Sequence, residues 1–308
     1  GYHSLTVRNC IIRQSGTGST SSAMLLSGGV NMTIDNNTIS THSTSSRGMW
    51  INYTNSSFFT NNTVNITGTG TAVEADFSYF NRYVYNTLNT SGSNAEVLHL
   101  DGDSHHNNVT FNTIWSTGGR GIYVDGADNN SVVGNIIFTA GSATHGYAIY
   151  LVSAINNTIQ ENNATATGNG GSFAMATVTI NNVILNNNFS AGDAWEMVDT
   201  TGSARVNHLI YNNTYGEIKW TDNSSNGTLT DMDLNITNGL GFGFGKNLDI
   251  INNSVALNTS GMNMTVYLNT TANISFFGIT QYATAPQVFR LGNHSLNSTD
   301  TVSVGTDC

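Results

Sequence analysis

Residues 121–135 read Gly-Ile-Tyr-Val-Asp-Gly-Ala-Asp-Asn-Asn-Ser-Val-Val-Gly-Asn. Ile122-x-Val124 alternates with the period of a strand, and Asp125–Asn130 is a cluster of turn formers. Val132 and Val133 begin a second apolar stretch, which Asn135 interrupts. Two short strands separated by a corner therefore fit into fifteen residues. The same unit recurs along the chain. Its asparagine reappears as Asn37, Asn62, Asn86, Asn112, Asn135, Asn162, Asn187 and Asn213, spaced by 25, 24, 26, 23, 27, 25 and 26 residues. Asn9, with Ile11 after it, reads as the same column one unit earlier.

Apolar residues keep phase with these asparagines. Two positions after them stand Ile39, Val64, Leu88, Ile114, Ile137, Ala164, Phe189 and Tyr215. Three before stand Ile34, Phe59, Tyr83, Val109, Val132, Ile159, Ile184 and Ile210. Further upstream run Leu26, Ile51, Ala75, Leu100, Val124, Leu151 and Ala176, preceded by Met24, Met49, Val73, Leu98, Ile122, Ile149 and Ala174. A period of about 25 residues is too short for a helical pair or a propeller blade and fits one coil of a β-solenoid. Coils stacked at about 4.8 Å predict eight or nine of them in a rod roughly 40 Å long.

The 121–135 unit resembles the repeat of right-handed parallel β-helices, the pectate-lyase-like superfamily. It is closest in character to Asn-rich repeats of archaeal and bacterial surface proteins. The resemblance covers roughly residues 5–220. It implies the fold and leaves function open, since the superfamily includes lyases, glycosidases, epimerases, adhesins and surface-layer proteins. The expected class is all-β: a right-handed parallel β-helix over 1–221, a linker at 222–228 (Asp-Asn-Ser-Ser-Asn-Gly-Thr), and a C-terminal β domain over 229–308. That last part is read as a small sandwich or as a cap on the solenoid, because its strand-like runs recur about every ten residues.

Composition agrees with stacking like on like. The 308 residues include 45 Asn and 32 Gly but only 9 Lys+Arg and 19 Asp+Glu, a formal charge of −10, with one proline, Pro286. Equal charges in a column would repel, whereas a carboxamide both donates and accepts and can ladder with its copies. So acidic a chain, with Lys219 and Lys246 its only lysines, excludes a nucleic-acid binder. No apolar run is long enough to span a membrane. Poor helix formers dominate, which excludes a helical bundle. The opening at Gly1 without an initiator Met reads as a mature chain or a piece of a longer one.

N-x-[ST] occurs 23 times, about twice the number chance placement would give. Asn-Asn-Thr corners supply some of these (Asn36, Asn61, Asn156 and Asn212). The remaining glycan-anchor candidates include Asn31, Asn52, Asn55, Asn65, Asn89, Asn108, Asn223, Asn226, Asn235, Asn258, Asn263, Asn269, Asn273, Asn293 and Asn297. Together they point to an exported protein at a cell surface.

Chemistry is sought where outward columns flank the core. One runs Trp50, Glu74, His99, Tyr123, Tyr150, and its neighbour Asn52, Asp76, Asp101, Asp125. Asp76, Asp101 and Asp125 should lie on successive coils about 5 Å apart. Carboxylates so placed could perform acid/base work on a glycan, with Glu74 and His99 beside them, or bind Ca²⁺. They could also be ordinary turn residues. The superfamily's lyases are expected to use a Lys or Arg base beside acidic Ca²⁺ ligands, and neither lysine falls here. Trp50, Tyr123 and Tyr150 could form a platform for sugars or simply pack on one another. No other cofactor signal is present, and His105-His106 reads as a turn pair. Cys10 and Cys308 sit at opposite extremes and could be free, bonded to partners, or joined head to tail between subunits.

The reading that follows is a non-enzymatic extracellular structural protein: a glycosylated β-helical subunit of a surface layer, filament or adhesin, partnered by itself or by surface glycans. The alternatives are a secreted polysaccharide lyase or hydrolase acting from the three aspartates, or a glycan-binding adhesin module.

Overall fold

The computed structural model describes residues 3–15, 21–141, 145–168, 170–191, 197–200, 207–222, 229–232, 248–251, 254–257 and 272–277. Each coil contributes three short strands. The first full coil is Thr6–Arg8, Ile11–Gln14 and Ser22–Ser27, and the fifth is Asn108–Thr110, Thr113–Ser116 and Ile122–Asp125. Eight such triplets stack in parallel into three sheets, and the strand Asn207–Asn212 opens a ninth level of the first sheet. Registers run without a slip from coil to coil, as in Tyr83↔Val109↔Val132↔Ile159↔Ile184.

The core is the set of inward columns anticipated from the period. Ile34, Phe59, Val109, Val132, Ile159 and Ile184 are fully buried, as are Ile51, Leu100, Val124 and Leu151. Large residues touch both within a column and across the core: Phe59 stacks on its registered equivalent Tyr83 at 5.0 Å, and Phe173 of the third sheet stacks on Phe189 of the second at 5.1 Å.

The asparagine ladder is continuous from Asn37 to Asn187, and every rung is buried. Asn112 shows its chemistry. Its Oδ1 accepts the backbone N–H of Asn86 at 2.9 Å and the Asn86 amide at 3.0 Å, while its own amide donates to the Tyr83 carbonyl at 2.8 Å and to Asn135 Oδ1 at 3.0 Å. The side chain thus satisfies a backbone donor and a carbonyl that the corner would otherwise leave orphaned in the interior. A second ladder, not anticipated, runs through Asn81, Asn107, Asn130, Asn157, Asn182 and Asn207 with the same pattern, for example Asn107 N–H to Asn130 Oδ1 at 2.8 Å. Each of its members from Asn81 to Asn182 stands five residues before a rung of the first ladder, a signal present in the sequence. In the preceding coil Ser57 takes that place, accepting the N–H of Met32.

Four expectations require correction. Asn9 is not a rung. Ile12, not Ile11, is registered with Ile39, so Cys10 occupies the ladder position and its backbone N–H donates to Asn37 Oδ1 at 3.0 Å. Asn9 pairs instead with Asn36, and Ile11 is 69% exposed. In the seventh coil Phe173 and Met175, rather than Ala174 and Ala176, continue the core columns, because Ile149 is registered with Phe173 and Leu151 with Met175. In the ninth level Leu209, not Ile210, follows Ile184. Asn213 there leaves the ladder, since the chain reverses: its Oδ1 accepts the N–H of Tyr215 and Gly216, and its amide donates to the Ile250 carbonyl. Gly216–Asp222 then pairs antiparallel with Asn207–Asn212, and Ala272–Phe276 pairs antiparallel with Gly216–Asp222. Most of the expected linker (223–228) and C-terminal domain, with Cys308, lies outside the described residues.

The corners use positive φ in registered columns. Asn36, Asn61, Asn129 and Asn156 occupy them, but so do Tyr53, Phe77, Phe80, Tyr85 and Phe111. Bulky residues are rare in that region, and here they stack in consecutive coils: Tyr53 on Phe77, Phe80 on His106, Tyr85 on Phe111.

Replacing a central rung should therefore cost far more than replacing a corner. Asn112→Ala is expected to destabilise by roughly 2–4 kcal/mol, because it leaves the Asn86 N–H and the Tyr83 carbonyl unpaired in the interior. Asn61→Ala, at an exposed corner, should cost less, roughly 1 kcal/mol, mainly from the positive φ that alanine adopts less readily than asparagine. Chemical denaturation of both variants checks the ranking.

Candidate functional site

The outer face of the third sheet gathers the expected columns. Trp50, Glu74, His99, Tyr123 and Tyr150 are registered in sequence, as are Asn52, Asp76 and Asp101. Asp76, Asp101 and Asp125 each end a strand. Gly102 and Gly126 follow the last two at φ 52° and 60°, where a residue without Cβ turns most freely.

Most charged and polar groups of this face are partnered across coils. Arg47 is ion-paired with Glu74 and lies 4.4 Å over the Trp50 ring. Arg120 is ion-paired with Glu96 at 2.8 Å and sits over both Tyr123, at 4.3 Å, and Tyr150, at 4.9 Å. Trp50 Nε1 donates to Asp76 Oδ2 at 2.6 Å, and the Tyr123 hydroxyl to Asp125 Oδ2 at 2.7 Å. The rings form a continuous stack, His99 on Tyr123 at 4.5 Å, Tyr123 on Tyr150 at 5.5 Å and Tyr150 on Tyr147 at 5.0 Å. Both faces of Tyr123 are thus covered, and a sugar stacking on it would have to displace a neighbouring ring.

Two atoms stand out. Asp76 Oδ1 and His99 Nε2 are buried without a hydrogen-bond partner. Burial pushes the Asp76 carboxyl above its ordinary range. The Trp50 hydrogen bond opposes this, and the charges of Glu74 and Asp101 add to it. Burial likewise raises the Tyr123 hydroxyl, helped by its bond to Asp125. His105 and His106 lie apart from this face: the His105 ring accepts the Asp128 N–H at 2.7 Å, and His106 stacks on Phe80. Cys10 is exposed, and its free thiol donates to the Arg8 carbonyl at 3.2 Å. What sequence reasoning did not find is the role of Arg47, Glu96 and Arg120, which form the column beside the aromatic one. Their signal was their place three residues before Trp50, His99 and Tyr123.

Ca²⁺, weighed for the aspartates, takes six to eight oxygen ligands. Among the described residues the side chains within reach of one ion are His99, Asp101 and Asp125, two carboxylates and an imidazole nitrogen. That set supplies fewer oxygens than a Ca²⁺ cage takes.

Residues 1–137 match a family model described as a right-handed beta helix region. The chain folds as a right-handed parallel β-helix. Solved structures of similar fold include two modules of Azotobacter vinelandii mannuronan C-5 epimerases. The AlgE6 A-module is 13% identical, with 56% of this chain and 57% of that one covered and a TM-score of 0.46. The AlgE4 A-module is 13% identical, with coverages of 64% and 56% and a TM-score of 0.45. Tailspike protein 3 of bacteriophage CBA120 is 10% identical, with coverages of 71% and 59% and a TM-score of 0.26. The match spans less than two thirds of each of those chains, and the likeness is one of fold. No curated protein matches the sequence.

The raised Asp76 carboxyl sets a sign for pH dependence. Between the ordinary carboxylate range and its raised value the folded protein holds a proton that the unfolded chain has lost, so stability falls as pH rises through that window. Asp76→Asn keeps an oxygen for Trp50 Nε1 and removes the titration. Its thermal midpoint should exceed the wild type's at pH 7, and the difference should vanish near pH 3. Thermal unfolding across that range checks it.

Proposed function

We propose that the chain is a non-enzymatic structural protein of a cell exterior, a glycosylated β-helical rod that assembles with copies of itself into a surface layer, filament or adhesin. One observation carries this reading: the asparagines sort into two populations. The rungs from Asn37 to Asn187 and from Asn81 to Asn207 are buried, and none of them begins an N-x-[ST] triplet. Every described asparagine that does begin one is exposed or half-buried, including Asn31, Asn52, Asn55, Asn65, Asn89, Asn108, Asn129, Asn163 and Asn273. Acceptors therefore surround the rod on its solvent side, where glycans fit without disturbing the ladders. The mutual pairing of Arg47 with Glu74 and Arg120 with Glu96 supports a stabilising rather than a reacting face. Asn223, Asn226, Asn235, Asn258, Asn263, Asn269, Asn293 and Asn297 lie outside the described residues.

A second reading, a secreted polysaccharide lyase or hydrolase, is favoured by the Asp76 carboxyl, which burial raises above its ordinary range beside Asp101, since a carboxyl that keeps its proton longer can act as a general acid.

Protein secreted from a glycosylating host should lose several glycan masses on deglycosylation and run as a polymer by light scattering. An intact mass equal to that of the bare chain, in a strictly monomeric protein, refutes the structural reading. Chain cleavage of acidic or neutral polysaccharides that Asp76→Asn abolishes would establish the second.

A further inference from the structure

His99 and Asp101 stand two residues apart on the strand Leu98–Asp101, so both project from its outer face. Asp125 ends the registered strand of the next coil. Among the described residues these three bring one ligand atom each to within 4.8 Å of the others. A second observation is independent of that proximity: His99 Nε2 is buried yet bonded to nothing, as is Asp76 Oδ1 on the preceding coil. A buried ring nitrogen without a partner costs free energy, and a bound cation removes that cost.

Neighbouring groups hold the ligands in place. The Tyr123 ring packs against His99 at 4.5 Å while its hydroxyl donates to Asp125 Oδ2 at 2.7 Å, so one side chain orients two of the three. The Gly102 N–H donates to Asp101 Oδ1 at 2.7 Å. Outer-shell bonds of this kind fix ligand orientation at metal centres. Arg47 and Arg120, the cations of this face, are engaged by Glu74 and Glu96.

We propose that His99, Asp101 and Asp125 bind a first-row transition-metal dication of the Zn²⁺ type, in a three-ligand site with a position left open. One imidazole nitrogen with two carboxylate oxygens is a donor set for zinc-like ions and not for Ca²⁺. Ligand atoms about 2.0–2.1 Å from a shared tetrahedral ion lie roughly 3.3 Å apart, a contraction that outward side chains reach by small rotations. The site goes beyond the structural reading and does not depend on it.

The test is titration calorimetry of the full chain with ZnCl₂, followed by visible absorption with Co²⁺. One equivalent is expected, with a Co²⁺ band in the visible. His99→Ala and Asp125→Asn should each weaken binding by at least about tenfold, the loss that disturbing even an outer-shell partner causes. The double variant H105A/H106A should bind as the wild type does. If Asp125→Asn does not fold, Asp101→Asn replaces it. Absence of binding, binding that His99→Ala leaves unchanged, or loss of binding in H105A/H106A instead overturns the proposal. So does a preference for Ca²⁺ over Zn²⁺.

Discussion

The carboxamide ladder is the interaction on which this structure depends. A β-helix must turn three times per coil, and at two of those corners the turn buries a backbone N–H and a carbonyl that a side chain satisfies. A carboxamide meets that need because it donates and accepts at once, so a copy placed one coil away is its natural partner. At two corners the chain repeats this solution. Asn112 and Asn107 take hydrogen bonds from one neighbouring coil and pass them to the other. Buried chains of hydrogen bonds polarise one another, which makes an internal break costly.

Much else follows from stacking equivalents at strand spacing. A charge would face its own copy, and charges are correspondingly few. Some sit opposite the other sign, as Glu74 does against Arg47 and Glu96 against Arg120, whereas Asp76 and Asp101 are registered like on like. Aromatic residues behave in the same way. Rings in registered positions lie almost parallel, whether buried like Phe59 and Tyr83 or exposed like Tyr85 and Phe111. The third sheet's face joins both habits, and Asp76 Oδ1 and His99 Nε2 are among the buried atoms there without a hydrogen-bond partner.

The fold was legible in the sequence because a single period repeats in every coil. Two apolar columns and one asparagine column held phase from Asn37 to Asn187, and the other two held as far as Ile149 and Leu151, after which the register passes to Phe173 and Met175. The reading failed where coil length changed or the chain reversed. Asn9 and Asn213 stand near the expected distance from their neighbours, but the first is displaced by one residue and the second follows the last parallel strand. Coils between 23 and 27 residues long leave a one-residue ambiguity that only hydrogen-bond register removes.

The sequence by itself therefore determined the architecture, the inward columns and the outward columns Trp50–Tyr150 and Asp76–Asp125, because each follows from alternation and a fixed repeat. Only the tertiary structure decided which side chains meet across those columns. That Trp50 bonds Asp76, that Tyr123 packs on His99 while bonding Asp125, and that His99, Asp101 and Asp125 converge are matters of rotamer and distance between coils. A repeat period places residues in a column. It does not say which way their side chains lean, and on this face that lean separates a ring platform from a packed stack, and turn aspartates from a ligand set.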